Sequence, residues 1–147
     1  MYEELRTDHK ISIFDLFKQL EDDTLIPISI FTKELAALET ICKYLKENLG
    51  FSNKKIASLT GRNSKDIWQA YDSATKKLSK KFDVKTSKYF IPVSILKNKN
   101  LSVLENIVAC LKEKFSLSYH EIAVLLKRDD RTVWTVYQNS LKKNVKR

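Results

Sequence analysis

The sequence predicts an all-α fold made of two small and similar helical units. Only two Gly and two Pro occur in 147 residues, which are too few turn residues for sheets or long loops. Apolar side chains recur at helical spacing through most of the chain. One stretch of the chain also returns at a fixed offset of 66 residues, and such internal repeats indicate repeated structural units.

The repeat joins residues 35–77 to residues 101–143. The two segments are identical at 16 of 43 positions, so we expect them to share one fold. Each copy alone is small for an independent domain, and a core shared between the copies is an open alternative. The predicted divisions are an acidic leader with an amphipathic helix at 1–25, copy 1 at 26–80, a basic and aromatic connector at 81–90, and copy 2 at 91–147.

A short amphipathic helix is predicted within the leader. It is too short to be stable alone, so we expect it to pack within the chain, with dimerisation as the alternative. Its polar side chains lie opposite an apolar stripe formed by Ile13, Phe14, Leu16, Phe17 and Leu20.

Each copy begins with a predicted extended arm. Residues 26–30 read Ile-Pro-Ile-Ser-Ile, and residues 91–95 read Ile-Pro-Val-Ser-Ile. Proline fixes its own φ and favours extended geometry in the residue before it. The first helix of each copy is predicted to follow at roughly 33–48 and 102–115. The third helix of copy 1 is predicted to continue into the connector and bend towards the second arm.

Two more helices separated by a polar break are predicted in each copy, at 51–77 and 117–143. This outline is that of a helix-turn-helix, in which a first helix braces a second. A small residue is needed where the two helices cross, and Ala57 and Ala123 occupy that place. The predicted apolar anchors are Ile56, Leu59, Ile67 and Tyr71 in copy 1, and Ile122, Leu125, Leu126, Val133 and Tyr137 in copy 2.

The ends of these helices carry capping residues. Ser102 with Glu105, and Ser118 with Glu121, have the capping-box spacing, and Asn63 and Asp129 are candidate caps of the later helices. Gly61 stands where a left-handed residue is needed in the first turn. The second turn has Lys127 instead, so we expect it to be strained or built differently.

The charge is unevenly distributed along the chain. The leader holds three Lys or Arg against seven Asp or Glu, residues 26–90 hold 13 against six, and residues 91–147 hold 11 against five. Basic segments that contain aromatic and amide residues are typical of nucleic-acid binders. A lysine-rich surface that only maintains solubility explains the charge equally well.

Catalysis, cofactors and membrane insertion are not expected. The sequence has no glycine-rich phosphate loop, no Cys/His cluster with metal-ligand spacing and no recognisable Ser-His-Asp set. No apolar run approaches the roughly 20 residues that cross a membrane, and no signal peptide is apparent. Cys42 and Cys110 are interpreted as buried small hydrophobes of a protein in a reducing cytosol.

The stretch Leu-Ser-Tyr-His-Glu-Ile-Ala-Val-Leu-Leu (117–126), followed by Arg-Thr-Val-Trp (131–134) and Ser-Leu-Lys-Lys (140–143), resembles known domains. These are the promoter-binding C-terminal region (region four) of bacterial sigma factors and the related helix-turn-helix domains of response regulators. The resemblance covers about 45 residues, twice. It implies binding to double-stranded DNA in the major groove and not initiation-factor activity, because nothing here resembles the other sigma regions.

The resemblance also assigns residues to the DNA face. The groove-facing positions are Asn63, Ser64, Lys65, Trp68, Gln69 and Asp72 in copy 1, and Asp129, Asp130, Arg131, Trp134, Thr135 and Gln138 in copy 2. Among them Arg131, Thr135 and Gln138 are the strongest candidates for base contacts, followed by Asn63, Ser64, Lys65 and Gln69. Phosphate contacts are expected from Arg62, Arg128, Lys76, Lys77, Lys142 and Lys143.

Several of these residues have a purely structural alternative. We favour packing of Trp68 and Trp134 on the Ile-Pro arms over contact with DNA. Asp129 and Asp130 fit helix caps better than base contacts, and Lys-Lys pairs at helix ends complement the helix dipole. His120 is interpreted as a surface residue and not as a metal ligand.

We therefore expect a cytoplasmic, nucleoid-associated transcription regulator that binds specific DNA sequences, as a monomer or a homodimer. One alternative is an adaptor that binds RNA polymerase or another transcription protein. The other is a DNA-packaging or segregation protein of low sequence specificity.

Overall fold

The structure, a computed structural model, describes residues 23–84 and 86–145 and is mostly helical. The predicted amphipathic helix of the leader lies outside these residues. None of the described helices is both long and apolar enough to cross a membrane. The elements in chain order are β1 (Leu25–Pro27), a first 3-10 turn (Ile28–Ile30), α1 (Ala37–Lys43) with a π-helical continuation (Tyr44–Asn48), α2 (Asn53–Thr60), α3 (Ser64–Lys77), β2 (Phe90–Pro92), a second 3-10 turn (Val93–Lys97), α4 (Val103–Lys114), α5 (Tyr119–Leu126) and α6 (Asp130–Val145).

The two arms, which were predicted to be extended, pair with each other as a two-stranded antiparallel sheet. The mostly helical fold class is confirmed, and this small sheet is an addition to it. Ile26 stands opposite Ile91, its own counterpart in the repeat. The Ile28 N–H donates to the Tyr89 carbonyl at 3.0 Å, and the Val93 N–H donates to the Thr24 carbonyl at 2.8 Å. Because these bonds join equivalent residues in both directions, an approximate two-fold axis relates the arms.

Each arm also packs on the other copy. The second 3-10 turn contacts α2, and the first 3-10 turn contacts α5. Arg62 donates to the Leu96 carbonyl at 2.8 Å, while Arg128 donates to the carbonyls of Thr32 at 2.9 Å and Leu35 at 3.1 Å. Buried residues of both copies form one continuous hydrophobic cluster. Each arm thus reaches across to the other copy, while the second arm also keeps contact with α4 of its own copy. We call this arrangement the exchange of arms, and through it the copies share a core.

The first helices of the two copies begin at equivalent positions of the repeat, Ala37 and Val103, but their caps differ. Helix α4 begins at Val103 behind the predicted capping box of Ser102 and Glu105. Helix α1 begins at Ala37 and not at residue 33, so the predicted start was wrong. Residue 36 is an alanine, which has no side-chain acceptor for a free N–H of the first turn. Of the two hydrogen bonds of a capping box, α1 has only the one in which Glu39 accepts the Ala36 N–H, at 2.8 Å.

A glutamate in each copy ties the start of the first helix to the end of the third. Lys77 binds Glu39 at 3.0 Å, and Lys143 binds Glu105 at 2.7 Å. Burial raises the pKa of both carboxyls, but the hydrogen bonds they accept outweigh it, so each pKa lies below its ordinary value. Both glutamates are therefore charged parts of the packing between helices.

The connector follows a course that the sequence did not predict. Helix α3 ends at Lys77, so it does not continue into the connector. The chain then brings the Phe82 ring over Lys43, with the ammonium 5.7 Å from the ring centre. Asn48 donates to the Phe82 carbonyl at 3.1 Å. The prediction that this segment is not a free linker is confirmed.

Candidate nucleic-acid interface

The turns that precede α3 and α6 each contain a residue in the left-handed backbone conformation. Gly61 has φ 71° and ψ 24°, and Lys127 has φ 56° and ψ 45°. Glycine adopts this conformation freely, whereas a lysine is strained in it. The two turns thus have the same backbone shape, and the strain expected in copy 2 is present.

Side-chain caps set the start of both later helices. The Asn63 carboxamide oxygen accepts the Asp66 N–H at 2.8 Å, and an Asp129 carboxylate oxygen accepts the Thr132 N–H at 2.7 Å. The bond from Thr132 lowers the pKa of Asp129. Asp130 lies 3.1 Å from His120 Nδ1. Both caps were predicted from the sequence, whereas the contact between His120 and Asp130 was not.

The apolar anchors of both helix pairs face the core. Ile56, Ile67, Ile122, Leu126 and Val133 are almost completely buried, and so are Ala57 and Ala123, where the helices cross. Leu59, Tyr71, Leu125 and Tyr137 are partly buried and pack against the core. The tyrosine hydroxyls donate to Glu47 at 2.8 Å and to Glu113 at 3.0 Å. One face of α3 and one face of α6 are therefore packed against the core.

The opposite faces of α3 and α6 lie at the surface. The residues predicted to contact DNA fall on them at helical spacing. The face of α3 carries Ser64, Lys65, Trp68, Gln69 and Lys76, with Asp72 partly exposed, and the face of α6 carries Arg131, Trp134, Thr135 and Lys142, with Gln138 partly exposed.

Trp68 and Trp134 belong to these exposed faces, so the prediction that they pack on the arms was wrong. Their side chains are 56% and 50% exposed. The preceding residues, Ile67 and Val133, occupy the core positions, and the next residue of a helix points about 100° away. The arms are covered by the other copy instead. The position of each tryptophan directly after a buried anchor was the signal for this exposure.

The lysines near the ends of α3 and α6 differ in their contacts. Lys77 and Lys143 are about half exposed and bind Glu39 and Glu105. Lys76 is three-quarters exposed and binds Asp72 at 3.0 Å within its own helix. Lys142 is exposed. Since exposed ion pairs within a helix are weak, Lys76 and Lys142 have the most accessible charges of the four.

The two arginines expected at phosphates have a structural role. Both are only partly exposed. Arg62 donates to carbonyls of Thr60 and Leu96, and Arg128 donates to those of Leu126, Thr32 and Leu35. Their guanidinium groups thus hold a turn of one copy to the arm of the other. We therefore assign them to the packing between the copies and not to phosphates.

Other kinds of site receive little support from the geometry. Cys42 and Cys110 are buried free thiols, and burial raises the pKa of Cys42 to about 12, which leaves it protonated. Within residues 23–84 and 86–145, no group of three or more His, Cys, Asp or Glu side chains is placed to hold a metal ion. No protein-family model, curated protein or solved structure matches the chain.

Proposed function

We propose that the protein binds double-stranded DNA as a tandem helix-turn-helix protein and regulates transcription. In this proposal α3 and α6 are the recognition helices, and each enters the major groove with its exposed face. The sharing of a core fixes the two helices in one arrangement, so one molecule acts as an internal dimer.

The observation that carries the proposal is that α3 and α6 each have one face packed against the core and one exposed face. Every predicted anchor packs inward, and the groove-facing residues Lys65, Gln69, Arg131 and Thr135 are all exposed. Arginine can bind guanine with two hydrogen bonds, glutamine can bind adenine in the same way, and a threonine methyl can contact thymine. Both faces thus carry suitable chemistry on helices whose orientation is fixed by packing.

The two copies are not expected to contribute equally to DNA recognition. The face of α3 carries two carboxylates, Asp66 and Asp72, which oppose the phosphate backbone. Helix α6 has two carboxylates at its start, but Asp129 accepts the Thr132 N–H as the helix cap and Asp130 lies beside His120. We therefore assign most of the base contacts to α6, through Arg131, Thr135 and Gln138.

Selection of bound duplexes from a random DNA library tests the proposal. We expect one enriched sequence, and a library that stays unenriched at protein concentrations that shift DNA would contradict sequence-specific binding. With the selected duplex, Arg131→Ala should cost about 1–3 kcal/mol of binding and relax specificity at one base pair. Lys142→Ala should weaken binding to all sequences alike. Lys114→Ala removes the same charge from α4 and serves as the control.

A protein-binding adaptor is the second candidate, and the exposed tryptophans favour it. Large exposed aromatic side chains often mark sites of protein contact. Tryptophan fluorescence distinguishes the two proposals. Trp68 and Trp134 are the two tryptophans of the chain, and both lie on the faces that would contact DNA. A change of emission on addition of duplex DNA supports DNA binding. Unchanged emission together with negative DNA shift assays supports the adaptor.

A further inference from the structure

The two copies differ in a groove beside their first helices. In copy 2 this groove has a volume of about 320 Å³, and we call it the copy-2 groove. It lies between the second 3-10 turn, α4 and the end of α6. Its lining includes Ser94, Ile95, Leu101, Ala109, Cys110 and Lys114. Apolar and polar side chains both line it, as in sites that bind an amphipathic segment.

The corresponding place in copy 1 is filled. Lys43 is the counterpart of Ala109, and it is completely buried with its ammonium 2.7 Å from Glu47. The Phe82 ring lies over it, and the Phe82 carbonyl accepts from Asn48, the counterpart of Lys114. In copy 2 the smaller Ala109 lines the open groove. The repeat thus indicates that an aromatic side chain covers such a groove.

The chain enters the described structure at the edge of the copy-2 groove. The Ser94 hydroxyl donates to an Asp23 carboxylate oxygen at 2.7 Å, and Ser94 lines the groove. A chain spans at most about 3.6 Å per residue, so three residues reach up to roughly 11 Å from Asp23 and six residues up to roughly 22 Å. The chain between Asp23 and Leu20 or Phe17 is therefore long enough to reach into the groove.

We propose that the leader docks in the copy-2 groove through its apolar stripe, with Phe17 and Leu20 taking the place that Phe82 occupies in copy 1. The leader is acidic, with seven Asp or Glu against three Lys or Arg, and the groove lining carries one base, Lys114, and one acid, Glu113. Lys97 and Lys114 are exposed at or near the groove. This docking is independent of DNA binding, so either proposal can fail without the other.

Disulfide cross-linking to Cys110, which lines the groove, tests the docking in the full chain. Leu20→Cys and Phe17→Cys each place a thiol on the apolar stripe, and Gln19→Cys is the control. Residue 19 lies on the opposite side of the predicted helix and is nearer to Asp23 than residue 17 is. Cys42 remains in place, since it is fully buried and its pKa is about 12. Burial also raises the pKa of Cys110, so the oxidation is run at alkaline pH, where a small thiol reagent first shows that Cys110 reacts.

On mild oxidation we expect the two stripe cysteines to join Cys110 at least about tenfold faster than the cysteine at position 19, as seen by peptide mass spectrometry. A leader that does not dock gives equal rates at all three positions, a faster reaction at position 19, or no cross-link; each of these results overturns the proposal. Adding Ala109→Lys fills the groove with the copy-1 residue, beside Glu113 as the counterpart of Glu47. This variant should abolish the difference in rate, and a difference that persists would also overturn the proposal.

Discussion

Lys127 has a backbone conformation that residues other than glycine seldom adopt. Its φ is 56°, and the matching residue in copy 1 is Gly61. The turn keeps its shape because its surroundings fix it: Lys127 Nζ donates to the Phe31 carbonyl at 3.1 Å, and the Arg128 N–H donates to the Ala123 carbonyl at 3.0 Å. The strain is thus balanced by one contact with the other copy and one hydrogen bond within copy 2.

The strain at residue 127 can be separated from the loss of its side chain. Lys127→Gly and Lys127→Ala both remove the contact with Phe31, but only the glycine relieves the left-handed φ. We expect the glycine variant to be more stable than the alanine variant by about 1 kcal/mol, measured by urea unfolding. An alanine variant of equal or greater stability would show that the turn is unstrained.

At the scale of the elements, each copy is held by a glutamate that serves two helices. Glu105 accepts the Ser102 N–H at 2.8 Å at the start of α4 and binds Lys143 near the end of α6. Glu39 repeats this arrangement between α1 and α3, where it also accepts from Ser73 at 2.6 Å. The position of α6 against the core therefore depends on a charged, largely buried carboxylate.

The stability of the protein should fall in acid through these carboxylates. Because the pKa of Glu105 is lower in the folded state than its ordinary value of 4.5, its contribution is present above that pH. The contribution is lost as pH falls through the lowered pKa. Glu105→Gln should cost about 1–3 kcal/mol near neutral pH, and its stability should vary less with pH below about 4.5.

Chemical unfolding at a series of pH values measures this effect. Glu34→Gln, at an exposed residue, is the control and should change stability by less than about 0.5 kcal/mol. A Glu105→Gln variant with an unchanged acid profile would mean that the carboxylate does not contribute to the packing of α4 against α6.

At the scale of the whole molecule, the exchange of arms makes the two copies interdependent. The strand of each copy pairs with the strand of the other, and Arg62 and Arg128 bind carbonyls across the boundary. Removal of either copy would expose the core of the one that remains. We therefore expect the protein to unfold as one cooperative unit.

The two tryptophans report on the two copies separately. Trp68→Phe leaves only Trp134 in copy 2, and Trp134→Phe leaves only Trp68 in copy 1. In each variant the urea unfolding curve followed by fluorescence should coincide with the curve followed by far-ultraviolet circular dichroism. If the copies unfold independently, the fluorescence midpoint will differ from the circular dichroism midpoint in at least one variant.

The sequence predicted local features well, because they depend on neighbouring residues. The caps at Asn63 and Asp129, the left-handed Gly61 and the buried anchors of α3 and α6 all follow from spacing and side-chain chemistry. The pairing of Ile26 with Ile91 and the exchange of arms depend on contacts between distant parts of the chain, which periodicity does not specify. The sequence did contain one signal of the strand pairing. An apolar arm that occurs in both copies can pair with its own counterpart about a two-fold axis.

The candidate site was predicted less completely than the fold of each copy. Helical spacing placed Lys65, Gln69, Arg131 and Thr135 on exposed faces, as the structure has them. It also placed each tryptophan one residue after a buried anchor, which was the signal for its exposure. Packing on the arms was favoured instead because large aromatic side chains usually lie in cores. Helical spacing did not show that Arg62 and Arg128 bind carbonyls of the other copy, since this depends on the exchange of arms.

The salt dependence of duplex DNA binding tests the central claim most directly. Fluorescence anisotropy would give the binding constant between about 50 and about 200 mM salt. Phosphate contacts by the four lysines Lys76, Lys77, Lys142 and Lys143 predict a log–log slope of about −3.6 over this range. The combined variant Lys76→Ala and Lys142→Ala should reduce the magnitude of that slope by about 2. Binding that does not change with salt, or a slope that the variant leaves unchanged, would contradict the proposal that α3 and α6 contact DNA.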